Sequence, residues 1–199
     1  MGGHPVNFAD SLSSGQLGES LIAQWLRRRG WHILPAYEKE IDNGKGPRLF
    51  MASDAGKVQL VAPDLLAMRG GKFMWVEAKH KTRFSWYGKK RRWVTGVDQR
   101  HFEDYCQVAD KTGLDVWLLF LHRDNQAWPD DVAKWGAPPT CPTGLFGRSI
   151  AALRLEENQS HQSNRWGPTG MVYWQPFTNL IEIAPLSEVA PEFAKSQAA

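Results

Sequence analysis

Hydrophobic and polar positions along this chain change period several times, and the changes mark out its elements. Glu19, Ile22, Ala23 and Leu26 recur at helical spacing on one stripe, so Glu19 is expected to face the protein. Ser13-Ser14-Gly15-Gln16 offers a start like a capping box and Gly30 a stop, predicting a helix to about Arg29. A short strand over Trp31-His32-Ile33-Leu34 is ended by Pro35. A connection from Asp42 to Arg48 then leads to a short strand at Leu49-Phe50-Met51. Lys57 to Lys79 reads as a hairpin, His80 to about Gly96 as a loop, and Asp98 to Thr112 as a helix closed by Gly113. The continuous apolar run from Val116 to Leu121 is the pattern of a strand buried on both faces. Trp128 to Gly147 is Pro- and Gly-rich and reads as loop, with a strand following near Ser149 to Leu155. After a polar stretch over 156–170, Met171 to Trp174 forms a last short strand and Phe177 to Ile183 completes the fold. The tail after Pro191 is expected to fray.

The hairpin carries the chemistry. Gly70-Gly71 lies between two apolar runs, and both residues can take the positive φ that a two-residue turn requires. Arg69 then pairs with Lys72, Leu66 with Trp75, and Asp64 stands opposite Glu77. A four-residue loop from Arg69 to Lys72 gives the same register. Directly opposed side chains lie about 4.5–5.5 Å apart, where like charges repel. Two carboxylates so close, with Lys79 on the same face, suit a divalent cation. The competing account is a charge network among Asp64, Glu77, Lys79 and nearby arginines.

Composition narrows the classes. At 199 residues and 42% apolar, the chain can bury a sizeable core and is not wholesale disordered. It has no apolar run near the roughly 20 residues of a membrane span and no signal-like apolar start, so a cytoplasmic protein is expected. Cys106 and Cys141 read as reduced thiols, because neither has ligand spacing; a zinc site from Cys141 and His161 lacks it too. The order of elements predicts an α/β fold, a mixed central sheet flanked by helices, with a C-terminal β-rich extension.

Pro63-Asp64 followed on the next strand by Glu77-Ala78-Lys79 resembles the signature of the PD-(D/E)xK nuclease superfamily. The upstream helix with Glu19 and the following helix opening at Gln99 match that family's order. Among its branches the arrangement is closest to Holliday-junction resolvase-like and phage-encoded nucleases. The resemblance covers residues 13–122 and implies a restriction-endonuclease-like core there. Residues 1–12 are then a loose leader, 123–190 an extension packed on the core, and 191–199 a frayed tail. It further implies that Asp64, Glu77, the Ala78 carbonyl and Glu19 hold Mg²⁺ or Mn²⁺ and that Lys79 orients or helps deprotonate the attacking water. Gln99 would sit near the scissile phosphate. Junction-cutting relatives are dimers, so a homodimer is expected. The Gln-x-x-x-Tyr pattern of one branch is missing, since Tyr105 lies too far from Gln99. Two plainer accounts stand beside these: Glu19 as a partner of the helix dipole, and Gln99 as an ordinary first-turn residue.

The segment from Lys79 to Trp93 interleaves seven Lys or Arg residues with four aromatics. Cations give sequence-independent phosphate affinity and aromatics stack on unpaired bases. His80, Lys81, Arg83, Trp86, Tyr87, Lys89, Lys90, Arg91 and Arg92 are therefore candidate DNA contacts, against a solvated loop whose aromatics fold back on the core. His122 is expected to be structural. The resulting expectation is a Mg²⁺- or Mn²⁺-dependent deoxyribonuclease acting on branched, flapped or partly single-stranded DNA. Its rivals are a catalytically silent DNA-binding or assembly protein of the same fold and a hydrolase of another phosphate ester.

Overall fold

The computed structural model describes residues 8–35, 48–53, 56–156, 159–162, 170–174 and 179–197. The connection expected from Asp42 falls outside these, as do residues 1–7, 163–169 and 177–178.

Helix α1 spans Phe8–Arg28 and is followed by strand β1, His32–Pro35. Strands β2 (Arg48–Ser53) and β3 (Gly56–Val61) pair with each other, antiparallel. Strands β4 (Leu65–Arg69) and β5 (Lys72–Lys81) form the predicted hairpin. Next come β6 (Ser85–Tyr87), β7 (Arg92–Asp98), helix α2 (Gln99–Thr112) and β8 (Asp115–His122). The chain continues through α3 (Pro129–Trp135), β9 (Gly144–Ser149), α4 (Ile150–Leu153), β10 (Gln159–Gln162) and β11 (Gly170–Trp174). It closes with β12 (Ile181–Ala184), α5 (Leu186–Val189) and α6 (Pro191–Gln197).

The central sheet has six strands in the order β1-β4-β5-β8-β9-β12. Only β5 and β8 run parallel within it, so the sheet is mixed, as expected. Helices cover both faces. Ile22, Trp25 and Leu26 of α1 pack with Val76, Ala78, Leu119 and Leu121 on one side. Phe102, Tyr105 and Val108 of α2 pack with Val116, Leu118 and Phe120 on the other. The apolar run of β8 thus faces a core on each side, the physical reason it lacks alternation. None of the described helices is long and apolar enough to cross a membrane.

The turn at Gly70-Gly71 has φ of 56° and 75°, and the register pairs Arg69 with Lys72 and Leu66 with Trp75, as predicted. Gly113 caps α2 in the left-handed conformation, and its N–H donates to Ala109 O at 3.0 Å. At the other end Asp98 Oδ1 accepts from Arg100 N–H at 3.1 Å.

Several expectations need correction. Helix α1 begins at Phe8, so Ser13 to Gln16 lie inside it; one or two weak helix formers cost roughly 0.5–1 kcal/mol each and do not stop a helix. The Lys57–Lys79 hairpin is really two units, because Pro63 cannot donate to a ladder and β3 pairs with β2. The loop expected over His80 to Gly96 is the end of β5 followed by the β6–β7 hairpin, fastened by the cross-strand pair Trp86 and Trp93. Helix α3 lies within the stretch read as loop, opened by Pro129 at its first turn and ended by Gly136 at φ 62°. The strand expected over Ser149 to Leu155 turns into α4 as Ser149 Oγ accepts from Ala152 N–H at 3.3 Å. Beyond residue 122, β9 and β12 complete the central sheet, while β11 pairs with β7. The tail is helical through Gln197, because Phe193 and Ala194 pack against the α1 side of the core. Helix α5 is tied to α1 by Trp25 Nε1–H, which donates to Glu188 Oε1 at 2.9 Å.

Candidate active site

The β4–β5 ladder ends at the pair Leu65 and Val76. Asp64 stands one position past that end, where the next pairing would set it against Glu77. Its carboxylate replaces the missing backbone partner, since Asp64 Oδ2 accepts from Ala78 N–H at 3.0 Å. A strand residue directs its N–H and C=O to the same side, so the Ala78 carbonyl also points to the side where β4 has ended. Side chains alternate along β5, which puts Glu77 and Lys79 towards α2 and Val76, Ala78 and His80 towards α1.

Asp64 is 7% exposed and Glu77 1%. Lys79 Nζ forms an ion pair with Glu77 Oε1, and its side chain keeps 30% exposure. Among the described residues, Glu77 Oε2 is buried without a hydrogen-bond partner. A buried carboxylate oxygen lacking a donor is costly, and such a group commonly serves a ligand or an ion. Burial, and then the charge of Glu77, hold Asp64 well above the usual carboxylate range, although Lys79 and the Ala78 N–H pull the other way. Burial acts against the Lys79 ammonium, but Glu77, Asp64 and Glu19 outweigh it and keep its pKa above the ordinary lysine value.

Glu19 lies half-buried on α1, and its charge reaches both Asp64 and Lys79. The buried stripe of α1 is centred on Gly18, Ile22, Trp25 and Leu26, which leaves Glu19 on its flank. Among the described residues no three His, Cys, Asp or Glu side chains come close enough together to hold a metal ion. The donor set brought together is therefore Asp64, Glu77 and the Ala78 carbonyl. These are hard oxygen donors of the type that Mg²⁺ accepts alongside several waters. Gln99 is not brought to them: its Nε2–H donates to Glu103 Oε1 one turn along α2, at 3.0 Å.

Tyr105 is the residue that sequence reasoning passed over. It is 1% exposed, and burial together with a hydrogen bond to Glu77 pushes its phenol well above the ordinary tyrosine value. The signal was present in the inward stripe Phe102, Tyr105, Val108, which turns Tyr105 towards the Glu77 face of the sheet.

The candidate DNA contacts separate into groups. Lys81 follows Lys79 on the same face, and burial and then the Lys79 charge bring its ammonium down to about 8. His80 lies on the opposite face, beneath Gly18 and near the Phe193 ring, with centroids 6.1 Å apart. Arg83 is an internal clamp: it pairs with Asp124, donates to Ala127 O at 3.1 Å and covers Trp128 at 4.4 Å. Trp86 packs edge-on against Trp93, with centroids 4.9 Å apart. Tyr87 and Arg92 are half-buried, whereas Lys89, Lys90 and Arg91 are exposed at the tip of the β6–β7 hairpin.

His122 is fully buried and stacks on Phe84 with ring centroids 3.6 Å apart, which makes it part of the core. Cys106 and Cys141 are both free thiols.

No protein-family model matches the sequence, and no curated protein matches it. Among solved structures, the chain is similar to a Holliday junction resolvase from the archaeal hyperthermophile Archaeoglobus fulgidus, with 10% identity and a TM-score of 0.46. That similarity covers 85% of this chain and 97% of the resolvase. A nuclease from a fusselovirus is similar over 94% of each chain, with 12% identity and a TM-score of 0.38.

Proposed function

We propose that this protein is a divalent-metal-dependent nuclease that hydrolyses DNA phosphodiester bonds. The observation that carries this reading is the buried Asp64–Glu77 pair at the open end of the β4–β5 ladder. One of its oxygens, Glu77 Oε2, has no partner among the described residues, and Lys79 pairs with the other oxygen of Glu77. A structural charge network would satisfy both carboxylates, whereas here burial and the charge of Glu77 hold Asp64 well above the usual carboxylate range and Glu77 Oε2 has no donor among the described residues.

Asp64, Glu77 and the Ala78 carbonyl would hold Mg²⁺ or Mn²⁺, with Glu19 acting through its charge or through an intervening water. Such an ion would supply charge neutralisation at the transferring phosphoryl group and a more acidic attacking water. Lys79 is kept protonated by its carboxylate neighbours, so it orients the attacking water and stabilises phosphoryl charge in preference to taking a proton. Tyr105 fixes the Glu77 carboxylate from the α2 side. Lys81 extends the cationic face along β5, and the basic tip of the β6–β7 hairpin supplies further phosphate affinity. Cleavage of branched or partly single-stranded DNA, and action as a homodimer, belong to the same reading.

The test is incubation of labelled duplex, single-stranded, flapped and four-way-junction DNA with Mg²⁺ or Mn²⁺, beside Asp64→Ala and an EDTA control. Metal-dependent cleavage lost in the variant supports the reading. Salt-sensitive DNA binding without cleavage of any substrate would replace it with a silent DNA-binding protein of the same architecture.

A further inference from the structure

Helix α3 presents a stripe that nothing in the proposed catalytic site uses. Trp128, Val132 and Trp135 follow at helical spacing and are 44%, 38% and 62% exposed. Solvent-facing tryptophans at this density mark a contact surface. Trp135 is nonetheless held in place. It packs on Gly88, where a Cβ would stand 3.2 Å from its Cε3 and 3.3 Å from its own Cβ. Gly88 is thus the seat of the indole, which keeps its outer surface open.

Gly88 also opens the turn from 88 to 91 that joins β6 to β7. The turn is closed by Lys90 N–H donating to Tyr87 O at 3.1 Å and Arg91 N–H to Gly88 O at 3.3 Å. Lys89, Lys90 and Arg91 follow Gly88 in this turn and are exposed. Arg91 has a φ of 49° and is the one described non-glycine residue in the left-handed region. Glycine or asparagine would adopt that conformation more easily. A cation placed there at a backbone cost points to use of its side chain. Helix α3 is itself fastened to the hairpin, because Trp86 N–H donates to Asp131 Oδ2 at 3.1 Å. Its other acid, Asp130, pairs with Lys134 at 3.2 Å, so neither carboxylate stands alone against a polyanion.

We propose that Trp135 and the turn from Gly88 to Arg91 form a binding surface for single-stranded DNA. The indole stacks on an unpaired base, and Lys89, Lys90 and Arg91 contact the adjoining phosphates. The combination of a rigid aromatic face and a cationic rim suits single strands, because duplex bases offer no free face to stack on. Only residues 82–84 separate β6 from the strand bearing Glu77 and Lys79. The inference rests on the nuclease reading and narrows its substrate to DNA with an unpaired segment next to the cut.

The experiment is fluorescence anisotropy of labelled oligothymidylate and of a blunt duplex, both in EDTA so that nothing is cleaved. Trp135→Ala is expected to weaken oligothymidylate binding about tenfold and duplex binding less than about twofold, with Trp135→Phe restoring most of the loss. Lys90→Glu, at an exposed position that burdens the fold least, is expected to lower the salt dependence of oligothymidylate binding. Phe73→Ala, which removes an aromatic residue 48% exposed near the far end of β5, serves as the control and should move neither affinity. Equal losses on both DNAs, or no loss on either, would overturn the proposal. So would self-association in sedimentation velocity that disappears with Trp135→Ala, because the stripe would then be a contact between copies. Trp135-dependent oligothymidylate binding by a protein that cuts nothing would sink the nuclease reading and leave this one standing. Cleavage of duplex DNA with no dependence on Trp135 in either binding assay would do the reverse.

Discussion

Gly18 of α1 and His80 of β5 meet so closely that no side chain fits between them: a Cβ on Gly18 would stand 2.1 Å from His80 Cβ and 3.1 Å from its Cα. This contact fixes the height at which α1 crosses the strand bearing the candidate site. Glu19, the next residue of the helix, is thereby held where its charge reaches Asp64 and Lys79.

Gly18→Ala sets two effects against each other. Alanine gains about 1 kcal/mol of helix propensity over glycine. The added methyl would overlap atoms at the base of His80, where no rotamer change relieves it, and overpacking typically costs about 1–3 kcal/mol. The clash should win, lowering the urea midpoint and, by lifting α1, the cleavage rate as well. An unchanged or raised midpoint would show that the helix can slide.

Asp64→Asn should abolish cleavage and stabilise the metal-free protein. The folded pKa of Asp64 is raised, so its contribution to stability is full below the unfolded value of 3.8 and is lost as pH rises through the folded pKa. Asparagine removes the ionisable group whose charged form burial and Glu77 disfavour, and keeps an oxygen that can accept from Ala78 N–H. Each 1 kcal/mol regained moves the melting temperature of a chain this long by about 2–4 °C. Thermal melts without metal and with excess Mg²⁺ test the pair. Mg²⁺ should raise the wild-type midpoint and leave the variant nearly unmoved.

His122 predicts the acid limb of the stability curve. Burial, and then the charge of Lys81, depress its pKa well below 6.5, so the folded state keeps it neutral. Its contribution is full above 6.5 and is lost as pH falls through the depressed folded value, because the unfolded chain takes up the proton first. His122→Phe should flatten this part of the curve, measured as denaturant midpoint against pH. A slope unaltered in the variant would assign the acid limb to other groups.

Arg83 and the hairpin-tip lysines should separate stability from DNA affinity. Arg83→Ala leaves Asp124 and the Ala127 carbonyl without their donor and uncovers Trp128, so a loss of about 1–3 kcal/mol of folding stability is expected. Lys89→Gln with Lys90→Gln should barely move the melting temperature but reduce the salt slope of DNA binding by about 2, roughly one for each phosphate contact removed. The opposite assignment would mean that Arg83 reaches the DNA.

Tyr105→Phe tests the residue behind Glu77. Removing a hydrogen bond to a charged group costs about 1.5–3 kcal/mol, so cleavage should fall by about ten- to a hundredfold while KM for DNA stays within a factor of about two. A loss confined to KM would place Tyr105 in substrate binding.

The site was legible to the extent that local rules write it into the chain. Gly70 and Gly71 can take positive φ, and alternation along a strand has a period of two. Together these put Asp64 against Glu77 and Lys79 on the Glu77 face without any knowledge of the rest of the fold. The closing of α2 at Gly113 and the doubly buried β8 followed in the same way, from a conformational need and from the absence of alternation.

Tertiary structure alone decided the remainder, because those features depend on partners far away in sequence. The basic segment became a hairpin through Trp86 pairing with Trp93 and through β11 joining β7. Arg83 became a clamp because Asp124 and Trp128 lie beneath it. His80 was separated from Lys79 by the pleat and covered by a helix whose approach Gly18 permits. Tyr105 reached Glu77 because α2 packs across the sheet at that height. Local rules determined the order and register of the carboxylates. Packing against distant elements determined which neighbouring groups share their low-dielectric surroundings, and so raised the pKa of Asp64 and of Lys79.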